Sequence, residues 1–188
     1  MSIQDHPTTE ILVTGDQLLT MGDVGPCELV EGRVVRMSPT GAEHGGCELN
    51  FGELIQRFVR QHKLGKVMVG EVGIYIRRSP DTVRAADVLF ISHERLAQRK
   101  NLRGYLDVAP ELIVEIMSPD DRWVDIDEKL RDYFSIGVRL VWVANPIRKV
   151  VYAYRSLTDV REFTLADSLP GDAILSGFSI SVAQVFEE

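Results

Sequence analysis

Two charged residues occupy positions where apolar side chains belong. Glu115 lies in "ELIVEIM" (111–117), an apolar run with the length of a buried strand, and Lys129 lies in "DIDEKLRDYF" (125–134), a helical pattern. Alternation along the strand sends Leu112, Val114 and Ile116 to one face and Glu111, Ile113, Glu115 and Met117 to the other, so Glu115 is flanked by apolar neighbours on its own face. A lone carboxylate there carries a large desolvation cost unless it is paired, protonated or bound to a cation, or reaches water at the strand end. At about 100° per residue, Ile126, Lys129, Leu130, Tyr133, Phe134, Ile136 and Gly137 fill one arc of about 160°. The Lys129 ammonium therefore points to the sheet side, where it either snorkels to water over a packed stem or meets a carboxylate such as Glu115.

Other chemistry-bearing residues are weaker signals one at a time. Asp87 heads "DVLFI" (87–91) directly after Ala85-Ala86, a position that turn-forming acids also occupy. His44 opens the first long helix on the side of Phe51 and Phe58; one such His is more often a hydrogen-bonded core residue than a ligand or base. Glu28, in a hairpin, and Glu71, in "VGEVGIY", read as solvated strand positions, and Glu31 as turn chemistry. No phosphate-cradling glycine loop, nucleophile elbow or His-Glu-x-x-His pattern is present, which removes the usual support for nucleotide hydrolases, dehydrogenases and serine hydrolases. Cys27 and Cys47, without a paired His cluster, make a poor zinc site and are expected to be reduced thiols.

The elements that must hold these residues can be outlined from the same text. Thr14 with Gln17 forms a capping box for a short helix ending near Gly22, and "CELVEGRVVRM" (27–37) reads as a hairpin turning at Glu31-Gly32. A helix over 43–63 gathers Cys47, Phe51, Leu54, Ile55 and Phe58 on one side, with Gly65 as its stop. Strands are expected at 66–76 and 87–91, around the Ser79-Pro80-Asp81 turn, and at 111–117. A helix over 124–136 capped by Gly137 leads to strands at 140–145 and 149–155 around Pro146. The last thirty residues read as irregular with one final short element. This order indicates a single mixed α/β or α+β domain over residues 1–188, with its core at about 12–186.

Composition sets outer bounds. Hydrophobic residues at 45% and charged residues at 26% describe an ordinary folded protein. No apolar run reaches the roughly 18 residues of a membrane span, and "MSIQDHPTTE" lacks the pattern of a signal peptide, so a cytoplasmic location and no membrane partner are expected. A net charge of −7 disfavours long-range attraction to a polyanion, so any nucleic-acid site must be local. The candidates, "RRSPDTVR" (77–84) and "RKNLR" (99–103), are short clusters of a kind common in solvated loops.

Taken together, "AADVLF", "ELIVEIMSP" and "DIDEKLRDYFSIGVRLVWVANP", preceded by "CELVEGRVVRMSP" and an "EHG" that opens a helix, resemble the Uma-two family of restriction-endonuclease-like proteins. That family is placed in the PD-(D/E)XK nuclease superfamily, and the likeness runs from about Leu12 to Phe186. It implies a mixed central sheet flanked by helices, with an added N-terminal hairpin. It also implies a metal-dependent endonuclease hydrolysing phosphodiester bonds, with DNA as substrate. Asp87 matches the motif Asp and Glu115 the motif acid. Met117 stands where the strand Lys would be, and Lys129 fits the place on the following helix to which the family moves it. By the same resemblance Asp87, Glu115 and the Ile116 carbonyl would hold Mg²⁺ or Mn²⁺, while Lys129 orients water or stabilises developing charge. Glu28 or His44 would complete a second metal position or transfer a proton. The chain departs from the pattern with Ala86 in place of Pro, and with Asp120 and Asp121 in place of small hydroxylated residues, which adds negative charge near the site. The alternatives are an inert binding or regulatory domain of the same fold and a metal-dependent hydrolase of smaller phosphate esters. Cutting both strands of a duplex would favour a homodimer.

Overall fold

The two apolar stripes become two helices, one on each face of an eight-stranded sheet. The computed structural model describes residues 11–101, 103–119 and 121–187. The first ten residues, Leu102 of the second basic stretch and Asp120 lie outside the described residues. Helix α1 (Gly15–Thr20) carries both halves of the expected Thr14/Gln17 capping box. Strands β1 (Cys27–Val30) and β2 (Arg33–Arg36) form the expected hairpin, and Glu31 and Gly32 both take the positive φ that a tight two-residue turn requires. Helix α2 (Ala42–His62), strands β3 (Gly65–Arg77) and β4 (Thr82–Ser92), and the short α3 (His93–Leu96) follow. Strand β5 (Leu112–Ile116), helix α4 (Trp123–Ser135) and strand β6 (Leu140–Asn145) make a parallel crossover unit. Strands β7 (Val150–Tyr154) and β8 (Val160–Phe163) extend the sheet by antiparallel pairing.

The path across the sheet is β2-β1-β4-β5-β6-β7-β8, with β3 paired to β4 off this path. Alternation decides which residues meet which helix. Val88, Phe90, Leu112 and Val114 pack with Cys47, Phe51, Ile55 and Val59 of α2. Leu89, Ile91, Ile113, Val141 and Val143 pack with Ile126, Leu130 and Tyr133 of α4. The result is a mixed α+β sandwich, mostly antiparallel, with the hairpin added at the β1–β2 edge. No helix of the described residues is long and apolar enough to cross a membrane.

Three local expectations are corrected. β4 begins at Thr82 rather than Asp87, because Arg84 and two alanines dilute the apolar signal of a segment that is nonetheless buried along its length. α2 stops at Lys63, in the left-handed conformation; Gly65 is the first residue of β3, where a Cβ would collide with the Ile91 carbonyl. The final thirty residues are more regular than expected, with the two-stranded sheet β9 (Ser168–Pro170) and β10 (Ser179–Ser181) and the capped helix α5 (Val182–Val185). Leu169, Leu175, Phe178, Val182 and Val185 join the α2-side core, so this tail is held by tertiary burial rather than by any long periodic pattern.

Candidate active site

The site forms where β4 changes partners. Near its start β4 pairs with β1 through Val83 and Leu29, whereas Val88–Phe90 pair with β5. Between these two contacts the strands part, and Asp87 lies at the fork, one step beyond the last β4–β5 pair, Val88 with Val114. The Ile116 amide, which has no ladder partner on β4, donates to Asp87 Oδ2 at 2.7 Å. On its other side β4 faces a bulge in β3, since Val69 pairs with Val88 and Val72 with Ala86. Gly70 and Glu71 therefore oppose Asp87 alone, both at positive φ, a device that bends a strand and redirects side chains. The Gly70 amide donates to Glu48 Oε1 of α2 at 2.6 Å, which ties the bulge to that helix.

Helices from both faces deliver their charged residues to this fork. On the α4 side, Lys129 and Tyr133 are one helical turn apart and share Glu115: the ammonium donates to Oε2 at 2.7 Å and the phenol to Oε1 at 2.6 Å. Lys129 also stands 3.4 Å from Glu28 Oε1, so it is held between two carboxylates while about a fifth of its side chain stays exposed. Glu28 accepts the Ala85 amide at 2.9 Å and Arg84 Nη1 at 2.8 Å, and Arg84 Nε donates to Asp132 of α4 at 2.7 Å. On the α2 side, His44 Nε2 approaches Asp87 Oδ2 at 3.3 Å. Facing a carboxylate, that nitrogen carries the proton, while Nδ1 is buried without a partner.

Burial and charge set the acid–base properties. Burial pushes the Glu115 carboxyl up to about 7, the neighbouring Asp87 charge adds to this, and Lys129 and Tyr133 oppose it. Burial alone would lower the Lys129 and Arg84 pKa values, but the carboxylates beside them win, so both are raised and stay charged. Burial next to Glu115 raises the Tyr133 phenol, which remains a donor. For His44, burial lowers the pKa and the Asp87 contact raises it, with a net rise.

These directions give a stability prediction for the metal-free protein. Glu115 holds its proton more tightly folded than unfolded, so its contribution is fully present below the ordinary carboxylate value of 4.5 and is lost as pH rises through about 7. Wild-type stability should fall across that window with a component of up to about 1.4 kcal/mol per pH unit. Glu115→Gln should flatten the slope. Urea unfolding at pH 5 and pH 7.5 in the presence of a chelator checks this, and equal slopes for the two proteins would refute it.

Each of the five residues singled out from sequence is found at this fork. Lys129 touches both Glu28 and Glu115, Asp87 touches His44, and the Ile116 amide joins Asp87 to the strand that carries Glu115. Glu28 is buried rather than solvated, because Arg84 and Ala85 satisfy it. Glu71 belongs to the bulge opposite Asp87 rather than to a regular strand position. At Ile116, the group seen against Asp87 is the amide. Sequence reasoning missed Arg84, Asp132, Glu48 and the hydroxyl of Tyr133. Arg84 carried the same signal as Glu115, a charge inside an apolar strand, but was grouped with a basic loop. The other arginines of that stretch pair internally, Arg77 with Glu31 and Arg78 with Asp16 and Asp81, and Arg99 of the second stretch with Asp107. Asp121 accepts the Ser118 amide and so closes the turn after β5.

The donor set suits a hard divalent cation. Four carboxylates, Glu28, Asp87, Glu115 and Asp132, surround two cations, Arg84 and Lys129, so the carboxylates outnumber the cations beside them. Among the described residues no three His, Cys, Asp or Glu side chains converge as a ready-made metal cluster. Asp87 and Glu115 are the acids that would hold an ion keeping several waters, as Mg²⁺ does.

Comparison with known proteins places the fold and the family. No curated protein matches the chain. Among solved structures, a "putative nuclease belonging to DUF820" from Anabaena variabilis shares the fold, with a TM-score of 0.77 at 19% identity over 93% of this chain and 97% of that one. Residues 16–183 match the family Uma2, described as "Putative restriction endonuclease". With nearly the whole described fold inside that match, the chain belongs to the Uma2 family.

Proposed function

We propose that the protein is a divalent-metal-dependent endonuclease that hydrolyses phosphodiester bonds in DNA. The observation that carries this reading is the Lys129 ammonium held 2.7 Å from Glu115, beside Asp87 at the fork of β4 and β5. Asp87 and Glu115 would hold Mg²⁺ or Mn²⁺, and the Ile116 carbonyl would be a further oxygen donor. The ion, when bound, lowers the pKa of water and neutralises charge on the phosphate. Glu115 gives up its proton to take part, so ion binding and deprotonation are coupled. Lys129 orients the attacking water and stabilises charge developing on the phosphoryl oxygens. His44, whose Nε2 is 3.3 Å from Asp87, transfers a proton on that side of the site, and Glu28 anchors Lys129. A cytoplasmic location and a homodimer able to reach both strands of a duplex belong to the same reading.

A second reading is an inert binding or regulatory domain of the same fold. It is favoured by one observation: both oxygens of Glu115 are already satisfied by Lys129 and Tyr133. Calorimetric titration with Mn²⁺ separates the two. Binding by the wild type that is lost in Asp87→Ala supports the metal site, while no binding by either leaves only the ionic network. Cleavage of plasmid, single-stranded DNA and a small aryl phosphodiester then distinguishes a nuclease from a hydrolase of smaller esters.

A further inference from the structure

Arg84 bonds both Glu28, which stands behind Lys129, and Asp132, on the helix that carries Lys129. Its side chain is only 9% exposed. One arm fixes Glu28 on β1, the carboxylate behind Lys129; the other fixes Asp132 on α4, one turn from Lys129 itself. The two Lys129 contacts are unequal, 2.7 Å to Glu115 and 3.4 Å to Glu28. An ammonium between two carboxylates leans toward the one whose charge is less compensated, and Arg84 compensates Glu28.

We propose that Arg84 is a positioning residue that neutralises Glu28 and thereby keeps the Lys129 ammonium turned toward Glu115 and the reacting phosphate. The proposal rests on the nuclease reading above. Without Arg84, Glu28 is a buried carboxylate whose remaining cation is Lys129, and the ammonium moves to it, away from Glu115. The same fold would persist with the catalytic Lys facing the wrong acid. Arg84 acts through a fork that lysine cannot reproduce, since one ammonium cannot serve both Glu28 and Asp132 in this geometry.

The test is a pair of double-mutant cycles on the full chain. Arg84→Met should lower kcat for DNA cleavage by about 10- to 100-fold with KM within about twofold, since the interaction lost is made in the transition state. In Lys129→Met, adding Arg84→Met should cost nothing more, because the group it positions is gone. Guanidinium ion should restore part of the activity of Arg84→Ala. The metal-free protein supplies an independent readout. In urea unfolding, removal of both Arg84 and Lys129 should lower the midpoint by more than the two single losses combined, because Glu28 is then a buried carboxylate with neither of its cations. In a Glu28→Gln background that excess should vanish. Losses in kcat that multiply, no rescue by guanidinium, or additive midpoints would each overturn the proposal. If the wild type cleaves nothing with any divalent ion, the nuclease reading fails, and the unfolding cycle alone decides whether Arg84 governs Lys129.

Discussion

Lys129→Met is expected to slow DNA cleavage by about two to four orders of magnitude while leaving Mn²⁺ binding within a few-fold of wild type. Among the described residues, the ammonium is the cation that the site presents to both Glu115 and the partly open fork, since Arg84 is engaged by Glu28 and Asp132. Methionine keeps the length and packing of the stem and removes the charge. Glu115→Ala should differ in kind, losing cleavage and ion binding together, because it deletes a proposed ligand as well as the partner of Lys129. Cleavage rates and calorimetry on the same preparations provide the check. Wild-type rates in Lys129→Met would show that Lys129 is an ion-pair partner and no more. Ion binding lost equally in both variants would instead show that the substitution had dismantled the site.

The largest effect on stability should come from Trp142→Ala. Trp142 is fully buried on β6 at the centre of the α2-side core, with ring centroids 6.0 Å from Phe51 of α2 and 6.3 Å from Phe178 of the C-terminal tail. It joins three parts of the chain, so its loss opens a cavity that neither the helix nor the tail can close alone. A cost of about 3–5 kcal/mol is expected in denaturant unfolding. Trp142→Phe should cost much less, because it keeps the ring against Phe51 and also removes an indole N–H that has no partner. A Trp142→Ala protein within about 1 kcal/mol of wild type would contradict this account of the core.

Much of the candidate site could be read without the fold. Glu115 and Lys129 stood out because each breaks an apolar period, and a charge that does so must be compensated wherever the chain goes. Resemblance to a family then added Asp87, Glu28 and His44, which no local pattern could separate from turn, hairpin and core residues. Arg84 shows where such reading failed. It broke an apolar strand in the same way as Glu115, but the strand around it was hidden by the neighbouring alanines and by a turn rich in arginine. Boundaries failed for a related reason: Gly65 looked like a helix stop, whereas its lack of a side chain serves the close approach of β3 to β4.

The sequence by itself determined the faces. Helical and strand periods are local properties of the chain, so they directed Lys129 and Tyr133 toward the sheet and set Glu115 on the strand face of Ile113 and Met117 before any contact was known. Only the tertiary structure decided the partners. Glu28 and Arg84 are 56 residues apart, and Arg84 and Asp132 are 48 apart. The fork in β4 and the bulge opposite Asp87 arise from the register of strands that no single segment encodes. Pairing among distant segments is set by how the whole sheet buries its two faces, and that balance is struck only when all the strands are present.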